Sequence, residues 1–310
     1  MTDLAARVRA ALRAAGTPLW FPHLTQPLVD HTDARLQRDL GLTPGTYSTA
    51  RVRGADADAP RDLVARLAPP KRESDEVAAV GVELLPAETE RAYDDPGFRF
   101  LRPDEIRTAG ALARAMDGLA LLDAVPSVGS TVRRLVRSLH LLDTGDDDTD
   151  VSFSEPELPF SVFVSVPTSA RPDAAIRVAE GILHEAMHLQ LTLIESVVPL
   201  VNSDEGRYFS PWRNEQRPAQ GILHALYVFR VIDAFLEQVA ATRPGLPAGG
   251  DSVGGRRALI AAQVREVESF RDSRDLTAEG AALAARLLDA SSAGAQPVRD
   301  ARLRNPSPSR

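Results

Sequence analysis

His184 and His188 stand four positions apart in a segment, Pro172 to about Ser196, whose Ile176, Ala179, Leu183, Met187, Leu191 and Ile194 recur at helical intervals. On an α-helix, residues i and i+4 share a face, so the two imidazoles can be turned toward one metal ion. With six His in 310 residues, composition alone yields His-Glu-x-x-His on the order of 0.01 times per chain. Chance is therefore a weak explanation, and the segment is constrained to one long helix with Pro172 near its first turn. The spacing leaves the metal open, because Zn²⁺ hydrolysis and Fe²⁺ oxidation both use a few protein ligands and open coordination positions.

The chain contains no Cys, which removes thiolate ligands and disulfides and leaves His, Asp and Glu as metal donors. A net charge of −7, with Lys and Arg spread along the chain, argues against a nucleic-acid partner. No apolar run of the roughly 18 residues of a membrane span is expected. The Arg residues of the N-terminal segment fall inside its apolar periodicity, unlike a signal peptide. A cytoplasmic chain with no membrane partner is expected.

Helical periodicity predicts helices over Thr2 to Ala15, Leu28 to Leu40, Pro103 to Asp123, Pro172 to Ser196, Pro218 to Ala241, Val253 to Asp272 and Thr277 to Ala290. Strands are expected at Val77 to Leu85, Phe98 to Leu101 and Leu158 to Val166, the last just before the His-bearing helix. Val132 to Leu142 fits either pattern. Gly41 to Pro60 reads as a loop. So does Asp143 to Asp150, whose acid cluster lacks the twelve-residue calcium pattern and reads as a solvated loop. The expected fold class is α+β, mainly α, with a helical metal-binding core, a small β-sheet beside the His-Glu-x-x-His helix, and no double-stranded β-helix. Residues 1–130 are expected to form a mixed α/β part of the same domain, able to contact substrate. Residues 131–292 would form the metal-binding catalytic core, and 293–310 a disordered tail.

His224 lies on the next long apolar helix and is a candidate third ligand, in competition with a carboxylate such as Glu205 or Glu215. His23, His31 and His140 have no metal-ligand spacing and read as structural or surface residues. Glu185 separates two mechanisms: in a zinc hydrolase it is the general base acting on metal-bound water, and in an iron oxygenase it holds a ligand or orients substrate. Between the helices, Tyr208-Phe209-Ser210-Pro211-Trp212-Arg213-Asn214-Glu215-Gln216-Arg217-Pro218 places Trp212, Arg213 and Arg217 near the third ligand. Guanidinium groups there suit a small dicarboxylate, the plainer reading being ion pairs of these Arg with Asp204, Glu205 or Glu215.

The order of these motifs carries a resemblance. A Leu158-Pro159 strand, His184-Glu185-x-x-His188, Ser210-Pro211-Trp212-Arg213, Arg217-Pro218 and Gly221-x-x-His224-x-x-Tyr227 together resemble the HExxH-motif 2-oxoglutarate-dependent peptide β-hydroxylases of ribosomal peptide modification, over roughly Arg134 to Ala241. The resemblance implies Fe(II) held by His184, His188 and His224, with 2-oxoglutarate and O₂ as co-substrates and Arg213, or second Arg217, on the far carboxylate. It implies hydroxylation of a β-carbon in a precursor peptide or an amino acid-like substrate. A zinc metallopeptidase with Glu185 as base is the alternative.

Overall fold

The computed structural model describes residues 2–14, 16, 18–40, 63–68, 79–85, 87–93, 97–108, 110–155, 158–169, 171–243 and 253–292. The loop expected at 41–60 and the tail expected at 293–310 lie outside these residues. The helices are α1 (Thr2–Arg13), α2 (Pro22–Leu40), α3 (Ala87–Glu90), α4 (Pro103–Thr108), α5 (Ala111–Asp123), α6 (Pro126–Leu135), α7 (Ala174–Glu195), α8 (Ala219–Thr242), α9 (Val253–Glu266) and α10 (Ala278–Ser292). The strands are β1 (Leu63–Leu67), β2 (Val80–Glu83), β3 (Arg99–Phe100), β4 (Ser138–Asp143), β5 (Ser152–Phe153), β6 (Ser161–Ser165), β7 (Tyr208–Ser210) and β8 (Glu215–Arg217). The fold is α+β and mainly α, and it is not a double-stranded β-helix.

A mixed sheet runs β1-β2-β4-β6-β5, with β3 paired to β4. Its centre, β2, β4 and β6, is parallel, and β5 closes one edge in antiparallel register, Ser152 opposite Val164 and Phe153 opposite Phe163. Parallel strands are covered on both faces, so they read as nearly continuous apolar runs. Alternation then sorts them: Leu139, Leu141, Val162 and Val164 join the main helical core, while Leu142 and Phe163 join an aromatic cluster on the other face. There Phe163 stacks on Phe153 at 4.4 Å and on His140 at 4.7 Å.

On the helical face, α7 packs against α5, α6, α8 and β6. Two glycines set the closeness. A Cβ at Gly118 of α5 would lie 2.8 Å from the Val178 side chain and 3.2 Å from the Ala179 backbone nitrogen, and one at Gly181 would lie 2.9 Å from Val164. α7 therefore rests directly on α5 and on the sheet. α1, α2 and the link between them bury Val8, Leu12, Trp20, Phe21 and Leu24 in the same core as Leu183, Leu226 and Leu287. Among the described residues one helix, α8, is long and apolar enough to cross a membrane by length and composition, contrary to the expectation of no such run. Most of it is buried in protein, and it carries the Arg230–Asp233 ion pair at 2.6 Å.

Departures from the expected elements have local causes. The run Pro103 to Asp123 splits into α4 and α5 at Gly110, whose φ of 71° ends helical geometry. The ambiguous Val132 to Leu142 stretch is both things in turn, the end of α6 and then β4. α2 starts at Pro22, earlier than expected, and accommodates Pro27. β6 begins only at Ser161 because Phe160 holds a φ of 65°.

Gly118→Ala is expected to cost roughly 1–3 kcal/mol, since the added methyl meets backbone as well as a side chain; urea unfolding would read it, and an unchanged midpoint would contradict the close contact. A second prediction concerns His140, buried, with Nδ1 2.8 Å from the Glu83 carbonyl. Burial pushes its pKa down to about 4, with that hydrogen bond opposing. Because the unfolded chain, at about 6.5, binds the proton more readily, stability is full above pH 6.5 and is lost as pH falls toward 4, by roughly 1.4 kcal/mol per unit. A His140→Gln variant should lack that part of the acid dependence in chemical denaturation at stepped pH.

Candidate metal centre

α7 presents Glu180, His184 and His188 one turn apart on a single face, and Glu195 two turns further on. α8 packs against it and brings His224. Behind the histidines the helices are pinned by a buried network. Tyr227 Oη donates to Gln190 Oε1, and Gln190 Nε2 donates to Thr25 Oγ1 of α2 at 2.9 Å. Gln190 is two residues past His188 and Tyr227 three past His224, so the pin sits within one turn of both.

The three imidazoles touch in sequence. His184 Nε2 lies 3.1 Å from His188 Nε2, His188 Nδ1 lies 3.1 Å from His224 Nδ1, and His224 Nε2 lies 3.0 Å from Glu195 Oε2. Burial, which disfavours the cation, pushes the pKa of His184 down to about 4 and that of His188 well below its ordinary value, so both rings are neutral. Neutral imidazole is the metal-binding form. Two ligands on adjacent positions of an ion with bonds of about 2.1 Å stand about 3.0–3.4 Å apart, and the His184–His188 pair has that spacing. The donor set therefore fits a divalent cation in type, and the pair fits in spacing. In the orientation shown, His188 gives one nitrogen to each neighbour, and among the described residues no three or more His, Asp or Glu groups converge on one point.

Glu185 is buried and points to the sheet edge, where its two oxygens accept from Ser152 Oγ at 2.8 Å and Ser154 Oγ at 2.9 Å. One oxygen remains 3.8 Å from His184 Nε2. Burial pushes its pKa up to about 7, against the two serine hydrogen bonds and the field of Arg213. Gly181, one turn earlier, is what lets α7 approach the sheet closely enough for these bonds.

The stretch expected as a plain connection is a β-hairpin, with Tyr208 opposite Arg217 and Ser210 opposite Glu215. Trp212 stacks flat on Phe229 at 5.4 Å, and Phe229 meets His184 edge-on at 5.4 Å, so Trp212 reaches the histidines through Phe229. Arg213 is exposed, and its field lowers the pKa of His184 and His188. Arg217 is half-buried, 3.8 Å from Glu215, with its Nε 3.1 Å from where a Cβ on Gly221 would be. That glycine gives the arginine room. The competing ligands Glu205 and Glu215 are both exposed, Glu215 beside Arg217.

A cavity of about 690 Å³ opens beside His184, which is 27% exposed toward it, and is lined by Ser152, Arg177, Glu180, Phe229 and Arg256. Its rim is the acidic loop, tethered by Asp148 to Arg171 and Asp150 to Arg177, with Asp147 accepting from the Thr168 and Ser169 amides. Arg256 of α9 donates through Nε to Glu180 at 3.0 Å, with its guanidinium 5.6 Å over Phe229. Its terminal nitrogens make no hydrogen bond among the described residues. Neither Arg213 nor Arg217 lines this cavity among the described residues. Two residues were missed from the sequence. Glu195 had a signal, seven positions past His188 on the same helical face. Arg256 had none, because only the packing of α9 on α8 brings it near.

No protein-family model matches the chain, and no curated protein matches it.

Metal titration of the purified chain tests the donors. His184→Ala and His188→Ala are expected to abolish stoichiometric Co²⁺ uptake and His224→Ala to weaken it at least tenfold, whereas Glu205→Gln and Glu215→Gln leave it unchanged. Undiminished uptake by His224→Ala would remove that residue from the ligand set.

Proposed function

We propose that the chain is a cytoplasmic Fe(II)/2-oxoglutarate-dependent oxygenase that hydroxylates a β-carbon of a peptide residue or an amino acid-like substrate. The observation that carries this reading is a series of three touching imidazoles, of which His184 opens onto a cavity lined by Arg256, a guanidinium whose terminal nitrogens make no hydrogen bond among the described residues. The motif resemblance to the HExxH peptide β-hydroxylases supports it. Bound by His184, His188 and His224, Fe(II) would supply the redox chemistry that couples O₂-dependent decarboxylation of 2-oxoglutarate to hydroxylation.

The protein's own groups then have separate tasks. Arg256, held over Phe229 by Glu180, offers two terminal nitrogens to a carboxylate, the fork that guanidinium presents best. Arg213 adds positive potential at the histidines from outside the cavity, and Arg217 is partly committed to Glu215. Arg256 thus joins Arg213 and Arg217 as a receptor for the far carboxylate of 2-oxoglutarate. Phe229 and Trp212 wall the histidines from water on one side. Glu185, with both oxygens taken by serines, fixes α7 on the sheet edge and thereby the direction of His184.

The alternative, a zinc metallopeptidase, is favoured by one observation: a Glu185 carboxyl with its pKa pushed up to about 7 has the basicity that a general base needs at neutral pH. Its engagement by Ser152 and Ser154 weighs the other way.

Anaerobic addition of Fe²⁺ and 2-oxoglutarate should produce a visible charge-transfer band. With O₂, ascorbate and candidate peptides or amino acids, succinate release should accompany a mass gain of one oxygen. Arg256→Leu should raise the KM for 2-oxoglutarate by about 10–100-fold, the equivalent of a lost charge-assisted hydrogen-bond pair. Tight zinc retention with peptide cleavage that ignores 2-oxoglutarate and fails in Glu185→Gln would replace this reading with the hydrolytic one.

A further inference from the structure

We propose that Glu195 is a positioning residue that sets the proton order of all three imidazoles in the metal-free protein, keeping the His224 hydrogen on Nε2 and its lone pair on Nδ1, the side that faces His188. This deepens the metal reading of the same site. The argument starts at the end of the chain of contacts. Glu195 Oε2 lies 3.0 Å from His224 Nε2 and accepts from Gln220 Nε2 at 3.1 Å. Gln220 is one turn before His224 on α8, so it holds the carboxylate oxygen against that ring.

With all three rings in the neutral form each imidazole has one N–H and one lone pair, and a carboxylate only accepts. The 3.0 Å contact therefore requires the hydrogen on His224 Nε2. His224 Nδ1 is then the acceptor at 3.1 Å from His188 Nδ1, which must donate. His188 Nε2 becomes the acceptor for His184, which in the metal-free protein carries its hydrogen on Nε2 and must move it to Nδ1 for that nitrogen to ligate a cation. The reverse order would satisfy both His–His contacts equally well, but would set a lone pair of His224 against the Glu195 oxygen. One carboxylate thus decides between two otherwise equivalent arrangements. Glu195 and Gln220 also line a second cavity, of about 350 Å³, together with Asn202 and Asp204, so this end of the chain of contacts is reachable from outside.

The test uses metal-free protein labelled with ¹⁵N-histidine. Long-range ¹H–¹⁵N correlations should show His224 and His184 protonated at Nε2 and His188 at Nδ1. In Glu195→Gln, whose amide can donate to His224 Nε2, the order is expected to reverse or mix, and the Kd for Co²⁺ to rise about 10–100-fold, the usual effect of losing a carboxylate behind a ligating histidine. Glu195→Asp should restore part of both. Near-isosteric Gln guards against misfolding, checked by circular dichroism. An unchanged tautomer pattern in Glu195→Gln overturns the proposal. Failure of the unaltered protein to bind Co²⁺, with the tautomer order as described, would instead sink the metal reading and leave the ordering by Glu195 standing.

Discussion

Imidazoles packed side by side inside a protein need partners for their buried ring nitrogens, because a buried polar group without one costs a few kcal/mol. That requirement organises this molecule. It demands two helices held at close range, α7 for His184 and His188 and α8 for His224, with a carboxylate at the end of the series. The close packing at Gly118 and Gly181, the pin between Tyr227 and Gln190, and the seating of Glu185 on Ser152 and Ser154 all serve to keep α7 in one position.

The cavity beside His184 shows a different economy of charge. Arg171 and Arg177 are spent on Asp148, Asp173 and Asp150, and so shape the rim more than they recruit anions. Arg256 is only half committed, its Nε to Glu180, and the aromatic ring beneath it limits where its guanidinium plane can lie. A cation held this way keeps its direction without giving up its hydrogen-bonding capacity, which is what recognition of a planar anion requires.

What the sequence disclosed follows from the range of the forces involved. The two long helices and the pairing of His184 with His188 were legible because an apolar stripe and an i, i+4 spacing are local patterns, repeated over several turns. β5 was not legible: two residues become a strand only because β6 lies alongside, and no two-residue pattern can announce that. The hairpin of β7 and β8 was hidden for a similar reason, its turn containing Asn214 at a φ of 51° rather than a glycine. Glu195 could have been read from its place on the helical face beyond His188. Arg256 could not, since its partners Glu180 and Phe229 come from other helices. Trp212 meets Phe229, which in turn meets His184, so its ring reaches the histidines only through an aromatic residue of the next helix.

The hairpin also has a consequence for how the chain assembles itself. All the groups that meet around the histidines on α7 and α8 are close along the chain: Glu195 and His224 are 29 residues apart, and His188 and His224 are 36. The hairpin folds part of the connector back on itself, which shortens the loop that has to close for that meeting. The helix–hairpin–helix unit can thus find its arrangement by short-range search, whereas the Arg133 contact with the Leu67 carbonyl, 66 residues away, must await longer-range docking.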